Sequence, residues 1–189
     1  MLLYNHIIFY IKKEEYILWN SIIVISILGT LAHFAYEISG HNKFMALFAA
    51  VNESTWEHIK IALTPSLLWG LYDGFAYGQN PNYFTAKSLS LLTIIVLIPL
   101  IFYTYRAVLK KSFLPFDIML FYISIIFSQI VFMYFINLPP VGFIFEYLGT
   151  ILLFGIFTCY MVFTLQPPKN FIFEDPISKK YGKNGHTDN

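Results

Sequence analysis

The chain is poor in charged residues and has almost no cysteine. Only 12% of its 189 residues are Asp, Glu, Lys or Arg, whereas an ordinary soluble domain has about 25%. The formal net charge is +1, so the sequence lacks the basic surface that nucleic-acid binding requires, and we expect no nucleic-acid partner. The single cysteine, Cys159, excludes an internal disulfide framework and a cysteine-based metal site.

The chain is instead rich in apolar residues. They make up 57% of the chain, and the mean hydropathy is +0.61. A bilayer core of about 30 Å needs about 20 apolar residues in a helix. Five segments reach this length: 17–39, 56–78, 87–107, 115–137 and 141–165. We therefore predict an all-α polytopic membrane protein, a bundle of about five transmembrane helices, with the lipid bilayer as its first partner. Residues 1–165 form one domain, and 166–189 form a polar cytoplasmic tail, extended or disordered at its end.

Two shorter apolar stretches do not qualify as spans. Residues 1–11 precede the charges of 12–15, which is the reverse of the order in a cleavable signal peptide, so we expect none. Residues 44–51 are too few to cross a bilayer. They predict an interfacial or re-entrant piece between the first two spans.

The basic residues predict an orientation. With five spans, Lys12, Lys13 and Lys87 lie on the N-terminal side. The opposite side collects eight basic residues: Lys43, Arg106, Lys110, Lys111, Lys169, Lys179, Lys180 and Lys183. Because positive loops stay in the cytoplasm, we expect a cell-membrane protein with its N-terminus outside and its C-terminus inside.

The segment Asn-Glu-Ser-Thr-Trp-Glu-His-Ile-Lys at 52–60 concentrates polar chemistry at the start of span two. A charged side chain at this depth in the membrane needs an ion-pair or hydrogen-bond partner, so we expect a functional site here. The end of span one contributes further groups at helical spacing. Six residues form the candidate cluster: His33, Glu37, His41, Glu53, Glu57 and His58.

Part of this segment has an ordinary structural explanation. Ser54-x-x-Glu57 is a capping-box pattern, Lys60 is spaced to pair with Glu57, and Trp56 fits an interfacial aromatic belt. His58 is the least explained residue. It begins a row of small residues with an interval of four that ends in Gly70, Gly74 and Gly78. That row predicts close helix packing, within the chain, with a partner helix or in a homo-oligomer.

A second polar layer is predicted near the outer ends of spans one, two and five. It consists of Asn20, Asp73 and Glu146. Two acids at similar depth could share a proton or mark an ion path. Lys87 could instead neutralise one of them.

The 52–60 motif, together with His33 and the tail residues Pro167-Pro168, Asp175-Pro176 and Lys180-Tyr181-Gly182, resembles an uncharacterised family of small bacterial multipass membrane proteins, known as a domain of unknown function. The resemblance covers nearly the whole chain. It implies a helical membrane protein and supplies no activity.

Two functional hypotheses follow. The first is a small transporter or membrane interaction protein that uses the cluster to bind an ion, a lipid headgroup or a partner. Transport requires a polar path from the cluster to Asp73 and Glu146. The second is a metal-dependent hydrolase acting on a lipid-like substrate. Its divalent metal, such as zinc, would be held by His33, His41 and His58, with Glu37 or Glu57 as general base.

Overall fold

The structure, a computed structural model, describes residues 2–185 and the side chains of residues 14–184. Five long helices account for most of it: α1 (Leu2–Ile38), α2 (Thr55–Tyr77), α3 (Tyr83–Leu109), α4 (Leu114–Ile136) and α5 (Phe143–Leu165). Short 3-10 turns occur at Met45–Leu47 and Gly182–Gly185. Within residues 2–185 the only strand-like pairing is an isolated bridge between Glu174 and Tyr181. The all-α prediction is confirmed.

The first helix is longer than predicted. We expected it to begin near residue 17, but it begins at Leu2. The charged residues 12–15 are good helix formers, and neither Gly nor Pro interrupts residues 2–17, so nothing ends the helix there. At its other end α1 stops at Ile38, because Gly40 and His41 adopt positive φ angles of 67° and 62°.

Four helices are long and apolar enough to cross a membrane: Glu14–Ile38 of α1, and α3, α4 and α5. The remaining helix, α2, carries Glu57, Lys60 and Asp73. It packs against α1, α3 and α4, and its first half is buried almost throughout. The protein is therefore a multipass helical membrane bundle in which the most polar helix is shielded by its neighbours.

An apolar layer fills the middle of the bundle. It is built from one or two buried residues of each of the first four helices. These are Ile25 on α1, Ile59 and Leu63 on α2, Leu91 and Ile94 on α3, and Ile125 on α4. Buried polar residues such as Ser90 and Ser128 lie in the bundle as well. We call the end of the bundle where residues 52–60 lie the motif end, and the end with the connections α2–α3 and α4–α5 the far end.

The far end contains a buried asparagine that joins two connections. Asn82 lies between α2 and α3 and has no exposed surface. Its Nδ2 donates to the carbonyls of Phe135 (3.1 Å) and Leu138 (2.7 Å), and its Oδ1 accepts from the N–H of Val141 (2.9 Å). Asn82 thereby satisfies the backbone of the turn between α4 and α5, which would otherwise be costly to bury.

Glu146 has a structural partner at the same end. Its carboxylate accepts hydrogen bonds from the N–H of Phe84 (2.7 Å) and of Thr85 (3.1 Å), and from the Thr85 hydroxyl (2.9 Å). An acid from the first turn of α5 thus caps the start of α3, where free N–H groups favour negative charge. The helices are close at this point, since a Cβ on Gly149 would lie 2.6 Å from the Thr85 nitrogen.

Asp73 and Lys87 form a buried ion pair between α2 and α3. Lys87 Nζ lies 2.7 Å from Asp73 Oδ2, and both side chains are at most 3% exposed. The predicted small-residue row lies against this lysine, because a Cβ on Gly70 would be 2.9 Å from Lys87 Cε. This part of the row therefore packs within the chain. Asn20, the third residue of the predicted layer, is half-buried on α1.

Breaking the far-end ion pair should destabilise the bundle more than removing it completely. Asp73→Asn leaves the Lys87 ammonium buried without its counter-charge, and we expect a loss of about 3–5 kcal/mol in the free energy of unfolding. The double variant Asp73→Leu/Lys87→Met should recover most of this loss. Equilibrium unfolding in detergent measures both. Equal stability of Asp73→Asn and the wild type would contradict the prediction.

Candidate functional site

Residues 44–51 fold back against α2 at the motif end. The segment has only a single 3-10 turn, yet Ala46, Ala49 and Val51 are buried. Backbone groups without helical hydrogen bonds need other partners in such surroundings. Two hydroxyls supply some of them: Tyr160 donates to the carbonyl of Leu47 (2.8 Å), and Thr64 donates to that of Phe48 (3.1 Å).

The ion pair between Glu57 and Lys60 serves the same segment. Lys60 Nζ lies 2.6 Å from Glu57 Oε2, with the two side chains only 1% and 5% exposed. Lys60 also donates to the carbonyl of Ala46 (3.1 Å), and Glu57 Oε2 accepts from the N–H of Val51 (3.0 Å). The pair predicted from the spacing is present, and its contacts account for Glu57 as a structural group.

Half of the predicted capping box is present. Ser54 Oγ accepts from the N–H of Glu57 at 3.4 Å, as expected for the N-cap of α2. The reciprocal bond is replaced, because Ser54 N–H donates to Asn52 Oδ1 at 2.8 Å. The Glu57 carboxylate already bonds to Val51 and Lys60, so it does not form the second hydrogen bond of the capping box.

Glu53 lies between two histidines, and we call these three residues the His–Glu–His group. Glu53 Oε1 is 3.9 Å from His33 Nε2, and its Oε2 is 3.6 Å from His58 Nε2. The ring centroids of His33 and His58 are 5.8 Å apart. The structure thus brings α1 and the start of α2 together through these side chains, as the candidate cluster requires.

A backbone contact sets the proton position on His58. Its Nδ1 lies 2.9 Å from the carbonyl oxygen of Ser54. A carbonyl only accepts, so Nδ1 carries the hydrogen, and in the neutral ring Nε2 keeps a free lone pair. That lone pair is on the side of Glu53, which makes His58 Nε2 a hydrogen-bond acceptor in the neutral state.

Of the other three candidates, His41 and Glu57 lie apart from this group, whereas Glu37 is close enough to His33 to act on it electrostatically. His41 follows the end of α1, where the left-handed turn carries it off the helical face of His33, and its ring packs on Tyr36 with centroids 5.2 Å apart. Glu37 is exposed, and Glu57 is paired with Lys60. Among the described residues, no group of three or more His, Cys, Asp or Glu side chains is placed to hold a metal ion.

The tail folds back onto the 52–60 motif. Trp56 N–H donates to the carbonyl of Ile172 (2.9 Å), and Asn52 Nδ2 donates to that of Gly182 (2.9 Å). The Asp175 side chain, 2% exposed, accepts from the N–H of Glu53 at 3.1 Å. Residues 167–185 are therefore ordered against the bundle, while 186–189, the end of the predicted tail, lie outside the described residues.

Aromatic packing supports the tail. Instead of standing in an interfacial belt, Trp56 is 6% exposed and packs on Phe163 of α5 and Phe173 of the tail, with centroids 5.4 and 5.2 Å away. Desolvation and a hydrogen bond from its hydroxyl to Glu174 Oε2 (3.2 Å) raise the pKa of Tyr181. The phenol therefore stays neutral.

A cavity of about 350 Å³ opens beside the His–Glu–His group, and we call it the interface pocket. Its lining comes from α2, α3, α4 and the tail. The polar lining residues are Glu53, Thr55, His58, Arg106, Ser112 and Asp117; the apolar ones are Ile98, Phe102, Leu114, Leu120, Phe121, Pro176 and Ile177. One cavity thus combines acids, a base and an extensive apolar wall.

Arg106 is the only arginine of the chain. Its guanidinium lies over the ring of Phe102, 5.0 Å from the centroid. In the described part of the chain it forms no ion pair with an acidic side chain. The nearby acid Asp117 accepts a hydrogen bond from the Tyr105 hydroxyl instead. Arg106 therefore brings to the pocket a guanidinium that forms no direct ion pair among the described residues.

A sequence profile of the family of unknown function DUF6512 matches residues 7–183, a range that includes the whole interface pocket. The chain belongs to DUF6512. The predicted membership of an uncharacterised family is thereby confirmed. No curated protein and no solved structure matches this DUF6512 chain.

Several residues that line the pocket of the DUF6512 chain were not predicted as site residues from the sequence. The sequence predicts Arg106 only as a topology charge and Asp117 only as a residue of the span 115–137. Pro176 and Ile177 were assigned to an extended tail. No short-range pattern links these residues to His58, although a lone arginine at the end of an apolar span was a usable signal.

Asp175 should be the group that keeps the tail attached. Asp175→Ala removes the acceptor for the N–H groups of Glu53 (3.1 Å) and Ser178 (2.5 Å). We expect faster trypsin cleavage at Lys179 and Lys180, because proteolysis follows local opening. Asp175→Asn, which keeps one acceptor oxygen, should lie between Asp175→Ala and the wild type. Identical cleavage rates for all three proteins would contradict the assignment.

Proposed function

We propose that this DUF6512 protein binds a lipid-like amphiphile in the interface pocket. The observation that carries the proposal is the combination in one cavity of an apolar wall and a polar mouth with Glu53, His58 and Arg106. Ligand sites are typically apolar concavities of about 300–1,000 Å³ with a few converging polar groups. A volume of about 350 Å³ suits a headgroup and the first part of a chain.

The position of the pocket favours a membrane lipid over a soluble ligand. Arg106 is in the last turn of α3, and Asp117 is in the first turn of α4. The pocket therefore lies where two spanning helices end, at the level of headgroups. Burying an acyl chain contributes about 0.8 kcal/mol for each CH₂ group, and the walls formed by Phe102 and Phe121 offer such a surface.

We place the motif end on the cytoplasmic side of the cell membrane, with the N-terminus outside and the C-terminus inside. Lys87 no longer counts among the loop charges, because it is buried against Asp73. Lys12 and Lys13 then face eight basic residues on the other side, so the charge difference that supports this orientation is larger than the sequence suggested.

Binding is favoured over transport. Transport would need a polar path from the cluster to Asp73 and Glu146. The apolar residues Ile25, Leu63 and Ile94 fill part of the core, and the hydroxyls of Ser90 and Ser128 bond to each other there (3.0 Å). Asp73 is paired with Lys87, and Glu146 caps α3. These contacts support a structural assignment for the far end.

Filling the pocket should weaken lipid binding. Leu114 lines the cavity and is 69% exposed, so Leu114→Trp adds volume at the mouth without disturbing the core. We expect Kd for a short-chain phospholipid, measured by native mass spectrometry, to rise at least about tenfold, which corresponds to about 1.4 kcal/mol. Leu148→Trp, on the outward face of α5 and 53% exposed, is the matched control and should bind as the wild type does.

Two results would overturn the lipid-binding proposal. One is equal affinity of Leu114→Trp, Leu148→Trp and the wild type. The other is purified wild type that binds no phospholipid but contains stoichiometric zinc, lost in His33→Ala and His58→Ala. That outcome would support the metal-dependent hydrolase instead.

The proposed orientation has its own test. A reporter that fluoresces only in the cytoplasm should be active when fused after residue 189. One that is active only outside the cytoplasm should work when fused before residue 1. The reverse pattern, or equal activity of one reporter at both termini, would contradict the orientation.

A further inference from the structure

The interface pocket contains two opposite charges that no full ion pair neutralises. Arg106 has no acidic partner among the described residues, and it forms no ion pair with Glu53, although both line the same cavity. Among the described side chains, the Glu53 carboxylate forms ion-pair contacts with the imidazoles of His33 and His58, and 48% of its side chain is exposed. A ligand that carries both a negative and a positive group would complement these two residues.

The lysines of the described region that form ion pairs do so elsewhere. Lys60 is paired with Glu57, Lys87 with Asp73 and Lys179 with Glu174. None of them lines the pocket. No described lysine is paired with Glu53, so a ligand can place an ammonium there.

The acceptors around Glu53 select the kind of cation. Both oxygens of the Glu53 carboxylate can accept hydrogen bonds from a cation. A primary ammonium has three donors and can satisfy three acceptors. A quaternary ammonium has none, and it is typically bound by aromatic cages, whereas the ring of Phe102 is already covered by Arg106.

Arg106 selects the negative group. A guanidinium matches the oxygens of a phosphate in a two-pronged contact, and such charge-assisted bonds are among the stronger ones. Asp117 lines the same pocket, so a ligand with negative charge alone would meet two carboxylates and one guanidinium. A zwitterion avoids this repulsion by placing its ammonium toward Glu53.

We propose that the interface pocket recognises a phosphoethanolamine headgroup, with the phosphate on Arg106 and the primary ammonium on Glu53. The inference rests on the proposed lipid-binding function and names its ligand class. The same headgroup chemistry occurs in a diacyl phospholipid and in free phosphoethanolamine. The apolar wall favours the lipid.

The test compares headgroups on identical short acyl chains. Affinities of the purified full-length protein are measured for phosphoethanolamine, phosphocholine and phosphoglycerol lipids, for diacylglycerol, and for free phosphoethanolamine. We expect the phosphoethanolamine lipid to bind at least about tenfold more tightly than the other lipids. Free phosphoethanolamine should bind much more weakly than the lipid, because it leaves the apolar wall uncovered.

Two variants assign the charges. Glu53→Gln keeps the shape and should abolish the preference for phosphoethanolamine over phosphoglycerol. Arg106→Gln should abolish the preference for phospholipids over diacylglycerol. Glu37→Gln and Lys111→Gln remove charges that do not line the pocket, and both preferences should persist in them. Unfolding midpoints identify any variant that has lost its fold, and an intact Glu53→Gln that retains the full preference would overturn the inference.

Results with the wild-type protein distinguish a failure of headgroup recognition from a failure of the proposed lipid binding. Equal affinity for all phospholipids would overturn headgroup recognition and leave lipid binding standing. Binding of none of the lipids would overturn both. If free phosphoethanolamine bound as tightly as the lipid, headgroup recognition would be supported, and the assignment of the apolar wall to an acyl chain would be wrong.

Discussion

The rest of the motif end depends on satisfying the backbone of residues 44–51 inside a membrane bundle. This stretch is mostly non-helical, so its carbonyl and N–H groups need side-chain partners where water is scarce. Lys60 meets the carbonyl of Ala46, and Glu57 both accepts from Val51 and neutralises Lys60. A buried ion pair is rarely a net gain in stability. Here its value lies in completing the hydrogen bonding of a segment that has no helix of its own.

Most of the buried charge in this protein is therefore structural. Asp73 and Lys87 compensate each other, Glu146 caps α3, and Glu57 and Lys60 hold residues 44–51. Glu53 and Arg106, which form no such buried ion pair, both line the interface pocket. Separating groups with a structural partner from groups without one identifies the site more sharply than counting acids and histidines does.

The sequence was sufficient for the fold and for part of the site. Hydropathy located the four apolar spans in α1, α3, α4 and α5, because about 20 apolar residues have few alternatives to a bilayer, and helical spacing paired Glu57 with Lys60. The predicted span 56–78 forms the helix α2, which is not among those four. Helical spacing also predicted that His41 lies on the same helix face as His33, but the left-handed turn at Gly40 and His41 follows the end of the helix. Asp175 could not be assigned, since its hydrogen bond to Glu53 joins segments far apart in the chain, and no local periodicity encodes such a contact. Arg106 contacts Phe102 on its own helix, and its place in the pocket depends on how the other segments pack around α3.

The attachment of the tail bears on the order in which the protein is assembled. Pro176 and Ile177 form part of the pocket wall, and Asp175 holds the backbone of Glu53. These three residues belong to a segment that follows all five helices in the chain. Chains fold from the N-terminus during synthesis. The helices can therefore enter the bilayer while the pocket is still open on one side, and its wall is completed only when the C-terminal segment docks. A ribosome that stalls after α5 would leave an inserted bundle without a finished binding site.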